Sequence, residues 1–383
     1  MAGEAYRTAA YAGFSGEKVE LESEHIRLFL ARILALLDRS IASNRRPDGL
    51  YHAYNLIRFE GTQALTISHL YEMLEGQVAI LSSGYLSPAE AADLLDAMRA
   101  SALYREDQRS YMLYPNRTLP SFFQKNTLTA EQASSPLVQR LLNTALFTQD
   151  CEGEVHFNAD FRNASFLEKA LQGLSLTADE ERQLLDLYEA TFHHHAFTGR
   201  SGTFYKYEGL GCIYWHMVSK LLLAVGEIIE TAGADSADFV RLKAHYEAIQ
   251  EGIGAHKSPA EYGSFPFDPY SHTPVHAGCQ QPGMTGQVKE DIISRFRELG
   301  LRVADGALHI EPVLLREDEF QNGELRFTYC AVPFTYRKSS NRQIALRLSN
   351  GETVALPDNC IPAEWAAHLF ARDGVVAEVV VAL

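Results

Sequence analysis

Two carboxylates in this sequence stand where a carboxylic acid can give up a proton to a substrate. Asp160 lies in the polar run HFNADFRNAS, among Asn158, Arg162 and Asn163 and just ahead of a helix. Glu208 lies in FYKYEGLGCIYWH, where Tyr205, Tyr207 and Trp215 would favour the protonated acid by desolvation. Breaking a glycosidic bond needs such an acid beside the departing oxygen. An inverting hydrolase adds a second carboxylate as base, whereas a phosphorylase uses phosphate itself as nucleophile. Each carboxylate also has a plainer reading. Asp160 or Asn163 can simply cap the helix that follows, and Glu208 can pair with Lys206 at the surface.

An oxyanion is held by a helix N-terminus, by a glycine that lets the backbone approach, and by cationic side chains. Thr285-Gly286, ahead of VKEDIISRF, supplies the first two; His272, His276 and Arg200 supply the third. An ordinary N-cap at Thr285 is the alternative. Sugars are bound by aromatic faces and planar polar groups, and Tyr51, His52, Tyr207 and Trp215 are the candidates to line sugar subsites, with Arg200 and His272 beside them. Aromatic residues in helical proteins are more often core than platform. His193-His194-His195 does not make a metal site, because successive helical residues diverge by about 100°. No metal is expected, and no cofactor beyond inorganic phosphate as co-substrate. No dinucleotide fingerprint, P-loop or nucleophile elbow is present.

The segment that must position these groups runs from Ser264 to Asp291. Pro266, Pro269, Pro274 and Pro282 forbid a continuous helix, and the segment does not alternate like a strand. Its aromatics, Phe265, Phe267 and Tyr270, argue for order. The expectation is an ordered loop lining a site, ending at Thr285-Gly286 where a helix starts.

Helices dominate the chain up to about residue 299. Ile26, Phe29, Leu30, Ile33, Leu34, Leu37 and Ile41 recur at three- and four-residue steps and predict a helix over Val19 to Ile41 with one apolar face. The stretch DGLYHAYNLI reads as a loop, and Ile67, Leu70, Tyr71, Leu74, Val78 and Leu81 as a second helix. Ser87-Pro-Ala-Glu90, Thr129-Ala-Glu-Gln132 and Thr177-Ala-Asp-Glu180 are capping boxes that open further helices. Beyond Leu301 the period changes to two. Hairpins are expected at Asp305-Gly306 and Asn350-Gly351, and a closing strand over Val375 to Val381.

The expected architecture is therefore mainly α: a helical toroid of paired helices over 1–299, followed by a small antiparallel β module over 300–383. The aromatic-rich loops would gather at one end of the toroid and build a single cleft.

The stretches HAGCQQPGMTGQ (His276 to Gln287), GLRVADGALHIEPVL (Gly300 to Leu314) and LRFTYCAVPFTYRKSSNRQIALRLSNGE carry a likeness. In them the C-terminal third resembles the glycoside phosphorylases of the cellobiose and β-glucan phosphorylase group. The resemblance implies an (α/α)6 barrel followed by a small β domain, and inverting phosphorolysis of a β-glucoside or β-glucan oligosaccharide. It further implies Asp160 as acid and His276, Thr285 and Gly286 as the phosphate site. Fewer helices are readable here than a complete barrel needs, and the group's preceding β-sandwich is missing. The toroid is thus incomplete unless a homodimer, or association with an N-terminal half, completes it. The alternatives are a glycoside hydrolase or polysaccharide lyase on the same toroid, or a non-catalytic carbohydrate-binding fragment of a larger enzyme.

Composition sets the outer bounds. The 383 residues are 46% hydrophobic, enough for a large core. A net charge of −15 without a basic run disfavours nucleic acid and anionic membranes as partners. No apolar run is long enough for a membrane span, no signal peptide is visible, and five scattered cysteines suit a reducing cytoplasm.

Overall fold

The computed structural model describes every residue except 1, 14–15, 17, 61–63, 119, 194–210, 233–235, 254–256, 264–269, 274–277, 283–284 and 357. The chain divides into two compact units, Met1–Arg45 and Arg46–Leu383.

The first unit holds α1 (Ala2–Tyr11) and α2 (Ser23–Ser43). The apolar period of α2 gives the expected helix. Asn44 closes it, its side-chain amide donating to the carbonyl of Ser40 at 2.7 Å. No residue of α2 is buried.

The second unit opens differently from expectation. Asn55–Glu60 (β1) and Ala64–His69 (β2) form an antiparallel hairpin with Ile57 opposite Ile67. Helix α3 begins only at Leu74 and runs to Leu81. Isoleucine and leucine three or four apart fit a helix, but β-branched and aromatic residues at alternate positions fit a strand equally well. Here the cross-strand partner decided. Pro88–Ala100 (α4) starts at the expected capping box, with Ser87 and Glu90 bonded reciprocally. Tyr104–Arg105 (β3) and Ser110–Tyr111 (β4) make a short ladder.

Next comes a run of small elements: α5 (Phe122–Lys125), α6 (Ala130–Ala133), α7 (Pro136–Leu141), β5 (Phe147–Gln149), β6 (Val155–Phe157), α8 (Ala164–Leu171) and α9 (Ala178–Phe192). They share one apolar core in which Leu146, Phe147, Phe157, Leu167, Leu184 and Tyr188 are fully or almost fully buried. The expected capping boxes at Thr129 and Thr177 are both formed.

Ile213–Tyr214 (β7) leads directly into α10 (Trp215–Ile229), followed by α11 (Ala237–Gly252), α12 (Pro259–Tyr262), β8 (Tyr270–Thr273), β9 (Gln280–Pro282) and α13 (Thr285–Glu298). Helix α10 is apolar almost all round, and such a helix must sit inside. It packs against α3, α11 and α13, while α11 also packs on α4.

The C-terminal segment contains β10 (Leu301–Ala304), β11 (Ala307–Ile310), β12 (Glu324–Tyr329), β13 (Val332–Arg337), β14 (Gln343–Leu348), β15 (Thr353–Leu356), β16 (Cys360–Ile361), α14 (Ala363–Ala371) and β17 (Val376–Ala382). Asp305 and Gly306 both have positive φ, 49° and 78°, the geometry a tight hairpin turn demands. The larger sheet runs β12-β13-β17-β14-β15. It is not wholly antiparallel as expected, since β13 and β17 pair in parallel. Helix α14 makes that possible by carrying the chain from β16 back to the start of β17. Phe334, Tyr336, Ile344, Leu346, Ile361, Leu369 and Val379 form this segment's own core.

Candidate functional site

The proline-rich segment from 264 to 291 contains two strands where none was expected. Strand β8 pairs with β7 on one side and β9 on the other, so His272 stands in register with Tyr214 and with Gln280. Local alternation could not show this, because the pairing partner Ile213 lies about sixty residues upstream. Two glycines let the segment cross itself. Gly263 and Gly278 have φ of 81° and 65°, and a Cβ on Gly263 would lie 2.4 Å from the Cα of Gly278. Only glycine fits such a crossing. Beyond β9 the chain enters α13, whose first two residues are Thr285 and Gly286, as expected. Residues 264–269 and His276 lie outside the described residues.

Beneath this small sheet sits a buried cationic layer. Arg105 is buried, donates to the carbonyl of Thr273 at 3.0 Å, and forms a fork with Asp107 at 2.7 and 2.9 Å. Lys257 is buried as well. Its ammonium donates to the carbonyl and the side-chain oxygen of Gln108 and lies 5.1 Å from the Trp215 ring. Desolvation, with the nearby Arg109 charge, pushes its pKa down to about 8. The Thr273 hydroxyl accepts the Trp215 indole N–H at 2.8 Å and contacts Cys279 Sγ at 2.8 Å. These bonds fix the sheet from below.

Where β7 meets α10, Tyr214 Oη lies 3.1 Å from His216 Nδ1, and His216 Nε2 lies 3.6 Å from a carboxylate oxygen of Glu290 on α13. Glu290 is 6% exposed, and its other oxygen has no protein hydrogen-bond partner among the described residues. With the tyrosine donating to Nδ1, the imidazole turns an Nε2–H towards the carboxylate. At 3.6 Å that second contact is longer than a hydrogen bond, and His216 Nε2 has no hydrogen-bond partner among the described residues, so the three groups make a buried polar cluster and not a connected proton chain. Sequence reasoning passed over both Tyr214 and His216 in favour of Trp215 between them. The available signal was their i, i+2 spacing at a strand–helix junction.

The other expected residues fall as follows. Trp215 is fully buried, packed against Tyr262 with ring centroids 5.2 Å apart. Its indole therefore serves the core and offers no face to a sugar. Tyr51 is buried too, its backbone bracketed by the Gln77 amide at 2.9 and 2.8 Å. His52 is half-buried and stacked on His69 at 3.8 Å, and burial together with the His69 charge lowers its pKa. Asp160 is exposed in the turn between β6 and α8, its backbone N–H donating to Asn158 Oδ1 at 3.0 Å. The cap of α8 is Asn163, which accepts from Ser165. Arg200, Tyr207 and Glu208 lie outside the described residues.

One group of side chains has the composition of a metal site. Ligand atoms of Asp150, Glu154 and His156, on the β5–β6 hairpin, lie within 4.8 Å of one another. The carbonyl of Asn126 accepts from His156 Nδ1 at 2.9 Å, so Nε2 faces Asp150 at 3.3 Å. Protonation of the imidazole makes that contact an ion pair without any metal. All five cysteines are free thiols, and no helix among the described residues is long and apolar enough to cross a membrane.

Residues 119–195 match the family model described as GH149 phosphorylase insertion domain 2. The matched segment coincides with the run α5 to α9 and its separate core, and it contains Asp160. It relates the chain to the glycoside phosphorylases. Among curated proteins no match was found.

Proposed function

We propose that this protein takes part in the inverting phosphorolysis of a β-glucoside or β-glucan oligosaccharide. The observation that carries this reading is the match of residues 119–195 to a phosphorylase insertion domain. The glycine crossing supports it, because it anchors the segment that leads to the N-terminus of α13. In this reading Thr285, Gly286 and His276 hold phosphate. A phosphate oxygen then attacks the anomeric carbon while the glycosidic C–O bond breaks, and a carboxylic acid protonates the departing oxygen. Asp160 is the acid suggested by sequence, with Glu208 as the second candidate. Helices α3, α4, α10, α11 and α13 belong, on this proposal, to part of an (α/α)6-type toroid.

The test is incubation with cello- and laminari-oligosaccharides with and without phosphate. Release of a sugar 1-phosphate only when phosphate is present supports the reading; reducing ends without phosphate demand indicate hydrolysis instead. A second reading is favoured by one observation: the matched segment is described as an insertion domain. On that reading the chain binds oligosaccharide without turnover, and binding with no product in either arm would establish it.

A further inference from the structure

On the β5–β6 hairpin two lone pairs face each other. The tautomer of His156 is set by its neighbours. Its Nδ1 lies 2.9 Å from the Asn126 carbonyl and 3.4 Å from the Thr127 hydroxyl oxygen, whose own hydrogen goes to the Phe123 carbonyl at 2.6 Å. Both neighbours can then only accept, so Nδ1 carries the hydrogen and the neutral ring keeps its lone pair on Nε2. That Nε2 points at Asp150 Oδ2, 3.3 Å away, and a carboxylate oxygen can only accept as well. Neither atom has a hydrogen to give the other. His156 is 8% exposed, and Asn126, which holds the ring, is itself clamped to Phe157 by bonds of 2.8 and 3.0 Å.

Glu154 brings a third ligand to the same point. Alternation along β6 sends Val155 and Phe157 into the core and turns Glu154 and His156 the other way. Asp150 Oδ1 accepts from the backbone N–H groups of Glu152 and Glu154 at 2.9 and 2.8 Å, which leaves Oδ2 to meet the ring. The three ligand atoms lie within 4.8 Å of one another, and among the described residues no Lys or Arg pairs with either carboxylate. A proton on the imidazole sets one positive charge against two carboxylates, whereas a divalent ion balances both. An ion about 2.1 Å from each ligand spaces them about 3–3.5 Å apart, which small side-chain rotations supply. Asp150 and Glu154 are exposed, so water can fill the remaining positions.

We propose that Asp150, Glu154 and His156 bind a divalent first-row transition-metal ion of the zinc type. The imidazole selects such an ion over magnesium or calcium, which favour oxygen ligands. Asn126 closes α5 and also holds the ring, so the ion ties the hairpin to that helix and stabilises the segment. This proposal is independent of the phosphorolysis reading, since it uses no substrate and none of the residues assigned to that reaction.

Calorimetric titration of the chelator-treated full chain with zinc chloride at about pH 7.5 tests it. Glu154→Gln and Asp150→Asn should each raise the dissociation constant of the tightest zinc site by about tenfold or more. Zinc should raise the melting temperature of the wild type by a few degrees and leave that of both variants nearly unchanged. Both positions are exposed, and Asp150→Asn keeps the oxygen that the turn uses, so the variants keep the fold, which circular dichroism checks. Glu152→Gln and Cys151→Ser, in the same turn but outside the group, should bind zinc as the wild type does. Magnesium should bind at least about tenfold more weakly than zinc. A wild type that binds no zinc, binding undiminished in Glu154→Gln, magnesium bound as tightly as zinc, or an equal loss in Cys151→Ser would overturn the proposal. The first result would leave a proton between His156 and Asp150, and the last would give the zinc to the exposed thiol.

Discussion

Lys257 is a buried ammonium bonded to one neutral residue, Gln108, and the cost of its charge is visible in its pKa, about 8 against an ordinary 10.5. Between those two values the folded chain has released the proton and the unfolded chain still holds it. Raising the pH through that window therefore favours the fold, and below pH 8 the penalty is present in full. Lys257→Met removes the titration. Thermal melts from pH 7 to 10 should show wild type gaining stability relative to this variant as pH rises; parallel curves would mean the lysine titrates normally. Trp215 makes a second case at this scale. Its full burial and its bond to Thr273 predict that Trp215→Ala costs about 3–5 kcal/mol, read as a lower denaturation midpoint. If Trp215 were instead an exposed platform, the change would leave stability nearly untouched.

Among the elements, the crossing of Gly263 over Gly278 is the tightest constraint on the candidate site. Gly263→Ala should destabilise the protein by about 2 kcal/mol or more, because positive φ and a clash with backbone add together. An unchanged melting temperature would show that the crossing relaxes freely. The run α5 to α9 has a core separate from that of the C-terminal sheet, so residues 119–195 expressed alone should unfold cooperatively. A featureless melt would mean that this core depends on its surroundings.

Elements whose information is local were readable from the sequence. Capping boxes at Ser87, Thr129 and Thr177, and the turns at Asp305-Gly306 and Asn350-Gly351, formed where residue types demanded them. Elements fixed by distant partners were not. The β1–β2 hairpin was read as loop and helix, β8 and β9 as loop, and the parallel pairing of β13 with β17 was invisible. The candidate site followed the same division. Thr285-Gly286 was legible as a helix start, while Arg105, Lys257 and Glu290 reach the site by tertiary packing that no local spacing announces.

On the scale of the whole molecule, the family match covers about a fifth of the chain, and the rest of the functional reading rests on what surrounds α13. On the proposed reading phosphate is a substrate and not an additive, and its use is stoichiometric with bond cleavage. The most direct measurement supplies a β-glucan oligosaccharide and orthophosphate and counts sugar 1-phosphate formed against phosphate consumed. One molecule of each per bond cleaved is the predicted result, with none formed when phosphate is withheld. Cleavage that proceeds equally well without phosphate would contradict phosphorolysis.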